Sequence, residues 1–417
     1  MKENITSMMT RPALHPLVTL NLLACLLSVP ATGLVAEAPS GFPMVRNLPV
    51  QVELPDPLLG ADGQAITTAA QWPAQRERMK AIIQHYALGR MPPPPGEVTG
   101  KELAVHAVLD DTAICRVVQL VFGSDGQLGF RAVLFIPAET AAHKAPFPVI
   151  VHPSFDAKLA ENQTPDVLNE IAKTFAQPLQ RGMAVMAFWY QQCGADRQAD
   201  YRQTGFFPAY PDYDWGDLAA WAWGMSRCVD YLETQSFADR TRILAVGHSR
   251  LGKATLVAGA FDERFALTAP AGSGCGGTGA YRFNGRNRGG KEGLEDAIKN
   301  FPQWFGPRMS GFCDQVEKLP FDQHWLLALV APRLCLPADG LSDGATNGNA
   351  LAKAYQGAKP VYTLLGAPDH LGISFRAGGH LLAAEDWAAI LDFADLHLRQ
   401  RAITRSFTEL PAANLLH

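Results

Sequence analysis

The sequence has little charge and no excess of basic residues, and both shortages limit the kinds of protein it can encode. Charged residues make up only 18% of its 417 positions, and the formal net charge is -4. Intrinsic disorder requires low hydrophobicity and high net charge, whereas 47% of this sequence is hydrophobic. No nucleic-acid partner is expected, because such partners need a basic surface. The composition instead predicts a large globular domain.

Cysteines are few and their spacing matches no metal-binding motif. The six beyond the N-terminal segment are scattered, and none forms a Cys-x-x-Cys pair: Cys115, Cys193, Cys228, Cys275, Cys313 and Cys335. The sequence therefore predicts no metal site, and it defines no disulfide pairing.

No apolar run reaches the roughly 20 residues that a transmembrane helix needs. The run Leu17–Val29 follows two basic residues and precedes a small-residue cleavage sequence at 36–38. This order predicts an export signal over residues 1–38 and a mature protein that is periplasmic or secreted. A lipid anchor at Cys25 is the less favoured alternative, because the apolar run continues past that residue.

Strand-like and helix-like segments alternate along residues 39–417, which are expected to form one domain. Apolar runs predict strands at 115–122, 130–136, 147–151, 184–190, 242–247, 265–270, 333–336 and 360–365. Helical periodicity predicts helices at 72–88, 215–232, 251–260 and 385–399. This alternation predicts an α/β fold, with a mostly parallel central sheet in a three-layer α/β/α sandwich.

The most specific motif runs from Gly247 to Lys253 and contains Ser249 where a predicted strand turns directly into a helix. In the α/β-hydrolase fold such a turn presents a nucleophilic serine at a helix N-terminus, where backbone amides stabilise an oxyanion. The usual pattern has glycine two places after the serine, but here that place is Leu251, and Gly252 follows. A serine after a strand can instead merely cap the helix. The strand–turn–helix context favours Ser249 as a nucleophile.

A serine nucleophile needs a histidine base and an acid, and in this fold the order along the chain is Ser, acid, His. His370 and His380 both lie in the loop expected before the closing helix, and His380 is preferred because Gly378 and Gly379 give its backbone freedom. Asp343 is the preferred acid, with Asp339 as the alternative, because both follow the strand predicted at 333–336.

Two basic side chains next to the serine are candidates for contact with a substrate. Arg250 can offer its backbone N–H and its guanidinium to an oxyanion, and Lys253 lies one helical turn after Ser249. Both residues therefore enter the predicted site.

Several ordered blocks resemble the glucuronoyl esterases, a family of carbohydrate esterases, and their bacterial branch in particular. These blocks include Gly247-His-Ser-Arg-Leu-Gly-Lys-Ala254, Ser273-Gly-Cys-Gly-Gly277, Phe301-Pro-Gln-Trp-Phe305, Phe321-Asp-Gln-His-Trp325 and Gly378-Gly-His-Leu-Leu382. The resemblance implies cleavage of the ester between (4-O-methyl-)glucuronic acid of glucuronoxylan and lignin alcohols, without a cofactor. It implies roles for Ser249, His380 and Arg250 in catalysis, for Lys253 in sugar binding, and for Glu292 as a ligand of sugar hydroxyls.

Two departures from the family pattern affect the expected site. Many members carry the catalytic acid at the position of Gly272, whereas bacterial members can use the position of Asp343 instead. Such members often have a sugar-stacking tryptophan where this chain has Ala345. An esterase for another acyl group, such as acetyl on xylan, and a non-catalytic carbohydrate-binding protein therefore remain alternatives.

Overall fold

The structure of the protein is a computed structural model that describes residues 41–123, 126–161, 163–285 and 292–412. The predicted export signal, with Cys25, lies outside these residues. The helices are α1 (Trp72–Ile83), α2 (Lys158–Glu161), α3 (Pro165–Thr174), α4 (Ala176–Gln180), α5 (Asp217–Leu232), α6 (Arg250–Phe261), α7 (Leu294–Asn300), α8 (His324–Val330), α9 (Gly348–Leu364) and α10 (Ala384–Arg399). The strands are β1 (Thr99–Val108), β2 (Ala113–Phe122), β3 (Leu128–Pro137), β4 (Phe147–Ser154), β5 (Ala184–Trp189), β6 (Ala238–His248), β7 (Phe265–Ala271), β8 (Leu334–Cys335), β9 (Ala338–Gly340) and β10 (Ser374–Arg376).

The strands form one mixed sheet in which the functional half is parallel. Their order is β1-β2-β3-β5-β4-β6-β7-β9-β10, and β8 pairs with β7. The pairs joining β1, β2, β3 and β5 are antiparallel. The pairs from β5 across to β10 are parallel. The predicted mostly parallel sheet is confirmed. Strand β1 was not predicted, because its residues are largely exposed and form no apolar run.

Successive residues of the central strands pack into two separate cores. Val149 and Val151 of β4 join a core that includes side chains of α1, α5, α6, α8 and α9. Ile150, between them, joins the opposite core with side chains of α3, α4 and α10. All three valine and isoleucine side chains are fully buried. The alternation follows from strand geometry and produces the predicted three-layer sandwich.

The strand predicted at 360–365 is wrong, because residues 360–364 form the end of α9 and Leu365 is its C-cap residue. The buried side chains of this helix recur at helical spacing, at Ala354, Tyr355, Ala358, Val361 and Tyr362. Burial of that face outweighs both the β-branched residues and the presence of Pro360 inside the helix.

The last strand of the sheet is instead β10, which is only three residues long and pairs in parallel with β9. The strand predicted at 333–336 is also shorter than expected, since only β8 forms there. Within the part of the chain that the structure describes, none of the helices has the length and apolar character that crossing a bilayer requires.

Candidate active site

Ser249 occupies a strained turn between β6 and α6. Its backbone dihedrals are φ 57° and ψ -129°, a combination that residues other than glycine rarely adopt. The Ser249 N–H donates to the carbonyl of Ala271, at the end of the neighbouring strand β7, over 2.9 Å. The turn is therefore fixed by the sheet on one side and by the start of α6 on the other.

Two glycines allow this turn to form. A Cβ atom at Gly247 would lie 2.3 Å from Oγ1 of Thr255, and one at Gly252 would lie 2.7 Å from the carbonyl oxygen of Ala271. No side chain fits at either distance. Close packing of α6 against β7 thus requires glycine at position 252, three places after the serine. Position 251, where the usual motif has glycine, can hold leucine.

Ser249, His380 and Asp343 form one hydrogen-bonded chain. Oγ of Ser249 lies 2.8 Å from Nε2 of His380, and Nδ1 of His380 lies 2.7 Å from Oδ2 of Asp343. The Ser249 side chain does not cap helix α6, although the residue stands at the N-cap position. The geometry is the one in which an imidazole can take the serine proton while a carboxylate orients the ring.

The carboxylate of Asp343 is buried and ionised. Its side chain is 1% exposed, against 33% for His380, and Oδ1 accepts the Ala345 N–H over 2.8 Å. Burial alone would raise the pKa of Asp343. The hydrogen bonds from His380 and from the Ala345 N–H outweigh burial and hold that pKa below the usual carboxyl value. Asp343 can therefore stabilise an imidazolium on His380.

Asp339, the alternative acid, lies in β9 and makes different contacts. Its Oδ1 accepts hydrogen bonds from Oγ1 of Thr346 and from the Gly340 N–H, each over 2.9 Å. Burial, followed by the charge of Asp343, raises the pKa of Asp339 to about 7. The partner of His380 is thus Asp343, the acid that was preferred from the sequence.

The other histidines near this part of the chain are engaged elsewhere. Nδ1 of His370 lies 2.7 Å from the Pro332 carbonyl oxygen, in a turn that precedes β10. The ring of His248 packs 4.6 Å from that of His380, and burial, followed by the proximity of His380, lowers the pKa of His248 to about 4. His248 is therefore a neutral packing partner of the base.

The position of Gly272, where the family resemblance would also place an acid, has little room for a side chain. Gly272 has φ +52°, and a Cβ atom there would lie 2.9 Å from Nε2 of His248. The Gly272 N–H donates to the Ala338 carbonyl over 2.8 Å, which ties this turn to β9. The acid that contacts His380 comes instead from the loop after β9, at Asp343.

Arg250 is held in place by a residue that sequence reasoning missed. Its Nη1 hydrogen-bonds Oδ2 of Asp196, whose side chain is 2% exposed. The same carboxylate accepts from the Tyr190 hydroxyl over 2.8 Å, from Trp304 Nε1 over 2.7 Å and from Gln303 Nε2 over 3.2 Å. Asp196 follows the carboxyl end of β5, and that position was the available signal, since polar residues at this edge of a parallel sheet commonly serve the site.

Two aromatic rings also lie next to the Arg250 guanidinium. Phe301 and Trp304 are stacked with centroids 4.1 Å apart and an interplanar angle of 5°. The Cζ atom of Arg250 lies 5.0 Å from each ring centroid. Cation–π contact and the ion pair with Asp196 thus fix the arginine beside the turn.

Lys253 and Glu292 each have a polar group that can contact a ligand. Nζ of Lys253 donates to the carbonyl oxygens of Ser273 over 2.7 Å and of Cys275 over 2.5 Å. The Lys253 side chain is buried, with Nζ 5.6 Å from the Trp304 ring centroid. Among the described residues Oε1 of Glu292 has no hydrogen-bond partner, although it is buried. An ammonium group has three donors, so Lys253 retains one for a ligand, and Glu292 offers an acceptor.

Asp217, at the start of α5, is a second carboxyl group near Asp196. Its side chain is fully buried, and within the described part of the chain neither carboxyl oxygen has a hydrogen-bond partner. Burial, followed by the charge of Asp196, raises the pKa of Asp217 to about 8. Asp217 is therefore largely protonated at neutral pH, and Asp196 carries the negative charge that pairs with Arg250.

The sheet topology, the turn at Ser249 and the hydrogen-bonded chain to Asp343 define a serine hydrolase of the α/β-hydrolase fold. The family described as glucuronyl esterase of fungi matches residues 128–366. The carbohydrate esterase MZ0003 of an unknown prokaryotic organism is 31% identical over 87% of this chain and 94% of its own length. The 4-O-methyl-glucuronoyl methylesterase 1 of Wolfiporia cocos is 30% identical over 85% of this chain and 82% of its own length.

A solved structure of a glucuronoyl esterase also matches this chain. The carbohydrate esterase family 15 glucuronoyl esterase from Caldicellulosiruptor kristjansonii superposes with a TM-score of 0.71 at 30% identity, over 88% of this chain and 95% of its own. The chain belongs to the glucuronoyl esterase family, as its motifs predicted.

The raised pKa of Asp217 predicts a pH-dependent effect of replacing it. Protonation of Asp217 stabilises the folded state fully below about pH 4, and this contribution is lost as the pH rises toward 8. Asp217→Asn, which mimics the protonated form, should change stability little at about pH 4, where the carboxyl group is protonated in the folded protein and largely so in the unfolded chain. As the pH rises toward 8, the free energy of unfolding of the variant should increase relative to that of the wild type by on the order of 1 kcal/mol per pH unit.

Thermal or urea unfolding across this pH range measures the difference. Asp111→Asn, at an exposed position, is the matched control and should show no such trend. A stability difference between Asp217→Asn and the wild type that is the same at both ends of the range would show that Asp217 is ionised in the folded protein.

Proposed function

We propose that the protein is a serine esterase that hydrolyses the ester between (4-O-methyl-)glucuronic acid of glucuronoxylan and a lignin alcohol. The hydrogen-bonded chain of Ser249, His380 and Asp343 carries the proposal, since it provides a nucleophile, a base and an orienting acid. Its family membership supports the choice of acyl group, as does its similarity to proteins named 4-O-methyl-glucuronoyl methylesterase.

The proposed reaction begins with attack of Ser249 Oγ on the carbonyl carbon of the ester. His380 Nε2 takes the hydroxyl proton, and Asp343 stabilises the resulting imidazolium. The carbonyl oxygen becomes an oxyanion next to the N-terminus of α6. There the backbone N–H groups and the guanidinium of Arg250 stabilise the developing charge.

Collapse of the tetrahedral intermediate expels the alcohol, which receives the proton from His380. Water then attacks the glucuronoyl–Ser249 ester, with His380 acting as base again, and the free uronic acid leaves. The chain's own residues supply each proton transfer.

The sugar is proposed to bind through polar contacts beside the nucleophile. Lys253 Nζ has a remaining donor, and Glu292 Oε1 is a buried acceptor that a sugar hydroxyl can satisfy. Ala345 provides no aromatic surface, so these polar groups and the nearby Trp304 ring define the sugar contacts.

Two exposed apolar side chains favour a large apolar alcohol. Phe155 directly follows β4, which is the parallel neighbour of β6, and Leu381 directly follows the base His380. Their exposed fractions are 48% and 63%, so each can contact an apolar group of the substrate. An aromatic alcohol in the ester would cover them, whereas methanol would not.

Hydrolysis of benzyl glucuronate by the purified protein tests the proposed function. The benzyl ester should be cleaved faster than the methyl ester. Ser249→Ala should lower kcat by at least about 10⁴-fold, because the nucleophile is lost. Ser310→Ala, at an exposed position, is the control. Release of uronic acid by Ser249→Ala at a rate near that of the wild type would refute the assignment.

The Asp196–Arg250 contact predicts that substitutions of these two residues lower the activity on the same ester to different extents. Arg250→Ala removes an oxyanion donor and should lower kcat by about 10²-fold or more. Asp196→Asn leaves the guanidinium without its counter-ion and should lower kcat about 10-fold. In the double variant Asp196→Asn should have little further effect. Arg197→Ala, whose side chain is 65% exposed, is the control. An undiminished effect of Asp196→Asn in the Arg250→Ala background would contradict a role through Arg250.

The acyl group is tested by substitutions in the proposed sugar pocket. Glu292→Gln and Lys253→Ala should each lower kcat/KM for benzyl glucuronate about 10-fold or more, since each removes a polar contact with the sugar. Neither should change the rate on an aryl acetate, because acetate is too small to reach the two side chains. Equal losses on both substrates, or an acetate rate above that on glucuronate, would favour an acetyl esterase.

We propose further that the mature protein is exported, on the support of the signal pattern in residues 1–38. Mass spectrometry of the protein recovered outside the cytoplasm should find the N-terminus immediately after Ala38. An N-terminal lipidated Cys25 would favour a membrane anchor, and an intact Met1 would contradict export.

A further inference from the structure

The loop that carries His380 has little apolar support of its own. It runs from the end of β10 to the start of α10, and its first two residues, Ala377 and Gly378, are exposed. The side chain that follows the base, Leu381, is 63% exposed. Polar contacts are therefore needed to hold this loop in the position from which His380 reaches its partners.

One guanidinium group binds this loop on both sides of His380. Nη1 of Arg376 donates to the Ala377 carbonyl over 2.9 Å. Nη2 donates to the carbonyl of Gly379 over 3.0 Å and to that of Leu381 over 2.6 Å. The backbone that carries the imidazole is thus held before and after the histidine by a single planar fork of donors.

The guanidinium is itself fixed by the first turn of α10. Its Nε donates to Oδ2 of Asp386 over 2.6 Å, and the same oxygen accepts the Ala383 N–H over 2.8 Å. The side chains of Arg376 and Asp386 are 10% and 3% exposed, so water screens their contact little. A charge-assisted hydrogen bond of this kind restricts the arginine to one orientation.

The same segment is joined to the loop that carries the acid. The Leu341 N–H donates to the Arg376 carbonyl over 2.8 Å, and the Ser342 N–H donates to the Gly378 carbonyl over 2.9 Å. Both donors immediately precede the acid in sequence. A displacement of the loop that Arg376 binds would therefore change the position of the base relative to the acid as well as to the nucleophile.

We propose that Arg376 is a positioning residue that fixes the loop of His380, so that the imidazole meets both Ser249 and Asp343. This inference rests on the proposed esterase function and adds a residue to its machinery. Arg376 acts through the position of the base and takes no part in proton transfer.

Substitution of Arg376 should lower kcat for benzyl glucuronate without weakening substrate binding. Arg376→Ala should lower kcat about 10- to 100-fold, with KM within about 2-fold, because a misplacement of about 1 Å is enough for such a loss. Arg376→Lys should lower kcat about 10-fold, since an ammonium group has three donors for these four acceptors and lacks the planar fork. A kcat for Arg376→Ala within about 2-fold of the wild type, or a loss confined to KM, would overturn the proposal.

Arg333→Ala is the matched control, because this guanidinium also binds backbone carbonyls but lies away from the site. It donates over 2.7 to 3.3 Å to the carbonyls of Gly259, Asp262, Phe265 and Leu329. The substitution should lower the midpoint of thermal unfolding and leave kcat within about 2-fold of the wild type. A loss of kcat as large as that of Arg376→Ala would show that lost stability explains both effects, and would overturn the proposal.

A double-mutant cycle separates action through His380 from a general structural role. In the His380→Ala background, Arg376→Ala should change kcat by less than about 2-fold, because the base that it positions is gone. A loss as large as in the wild-type background would overturn the proposal. If Arg376→Ala does not fold, as thermal unfolding would show, Arg376→Lys replaces it in the cycle. A kcat for Arg376→Lys within about 2-fold of the wild type would then overturn the proposal.

The rate at which a fluorophosphonate labels Ser249 provides a readout independent of the substrate. Arg376→Ala should slow labelling by about the same factor as kcat. If the wild type labels but does not cleave glucuronate esters, the proposed substrate is wrong, and the labelling rates still decide the role of Arg376. Labelling of Arg376→Ala as fast as that of the wild type would overturn the positioning role alone.

Discussion

The site depends on one constraint, the parallel alignment of β6, β7, β9 and β10, whose carboxyl ends meet at the same edge of the sheet. Ser249 follows β6, Asp343 follows β9 and His380 follows β10, so residues distant in sequence reach hydrogen-bonding distance. The N–H of Ser249 is tied to the end of β7, and the N–H of Gly272 is tied to β9. Loss of this alignment would separate Ser249 from His380, whatever their individual conformations.

The buried carboxyl groups near Ser249 differ in their partners and in their pKa values, because their surroundings differ. Asp196 receives four donors, one of them a guanidinium, and fixes Arg250. Asp217 has no donor among the described residues and is held protonated by burial. Near His380, burial raises the pKa of Asp339, whereas hydrogen bonds hold the pKa of Asp343 below its usual value. The negative charges of the site thus lie on Asp196, which pairs with Arg250, and on Asp343, which contacts His380.

Much of the fold, and the three residues that meet at the candidate site, could be predicted from the sequence. Apolar runs identified the central strands, and the strand–turn–helix context identified Ser249 despite the displaced glycine. The order of residues along this fold pointed to His380, but it left Asp339 beside Asp343, because both follow a strand end within a few positions. Only the geometry distinguishes them, through the hydrogen bond that His380 Nδ1 donates to Asp343.

The remaining errors and omissions have physical causes. A β-branched run after Pro360 has the composition of a strand, yet tertiary burial of one face makes it the end of α9. Asp196 lies in a loop without regular periodicity, and three of its four partners, Arg250, Gln303 and Trp304, are remote in sequence. Tertiary contacts of this kind leave no local pattern, so the anchor of Arg250 was not predicted.

The central claim is that Ser249 is an activated nucleophile whose base is His380. Mass spectrometry after reaction with a fluorophosphonate tests it most directly, since the reagent modifies only a serine whose proton can be removed. The account predicts one covalent adduct, located on Ser249, whose formation is greatly slowed in His380→Ala. A folded wild-type protein that forms no adduct at Ser249, or forms it equally fast without His380, would contradict the account and favour a non-catalytic carbohydrate-binding protein.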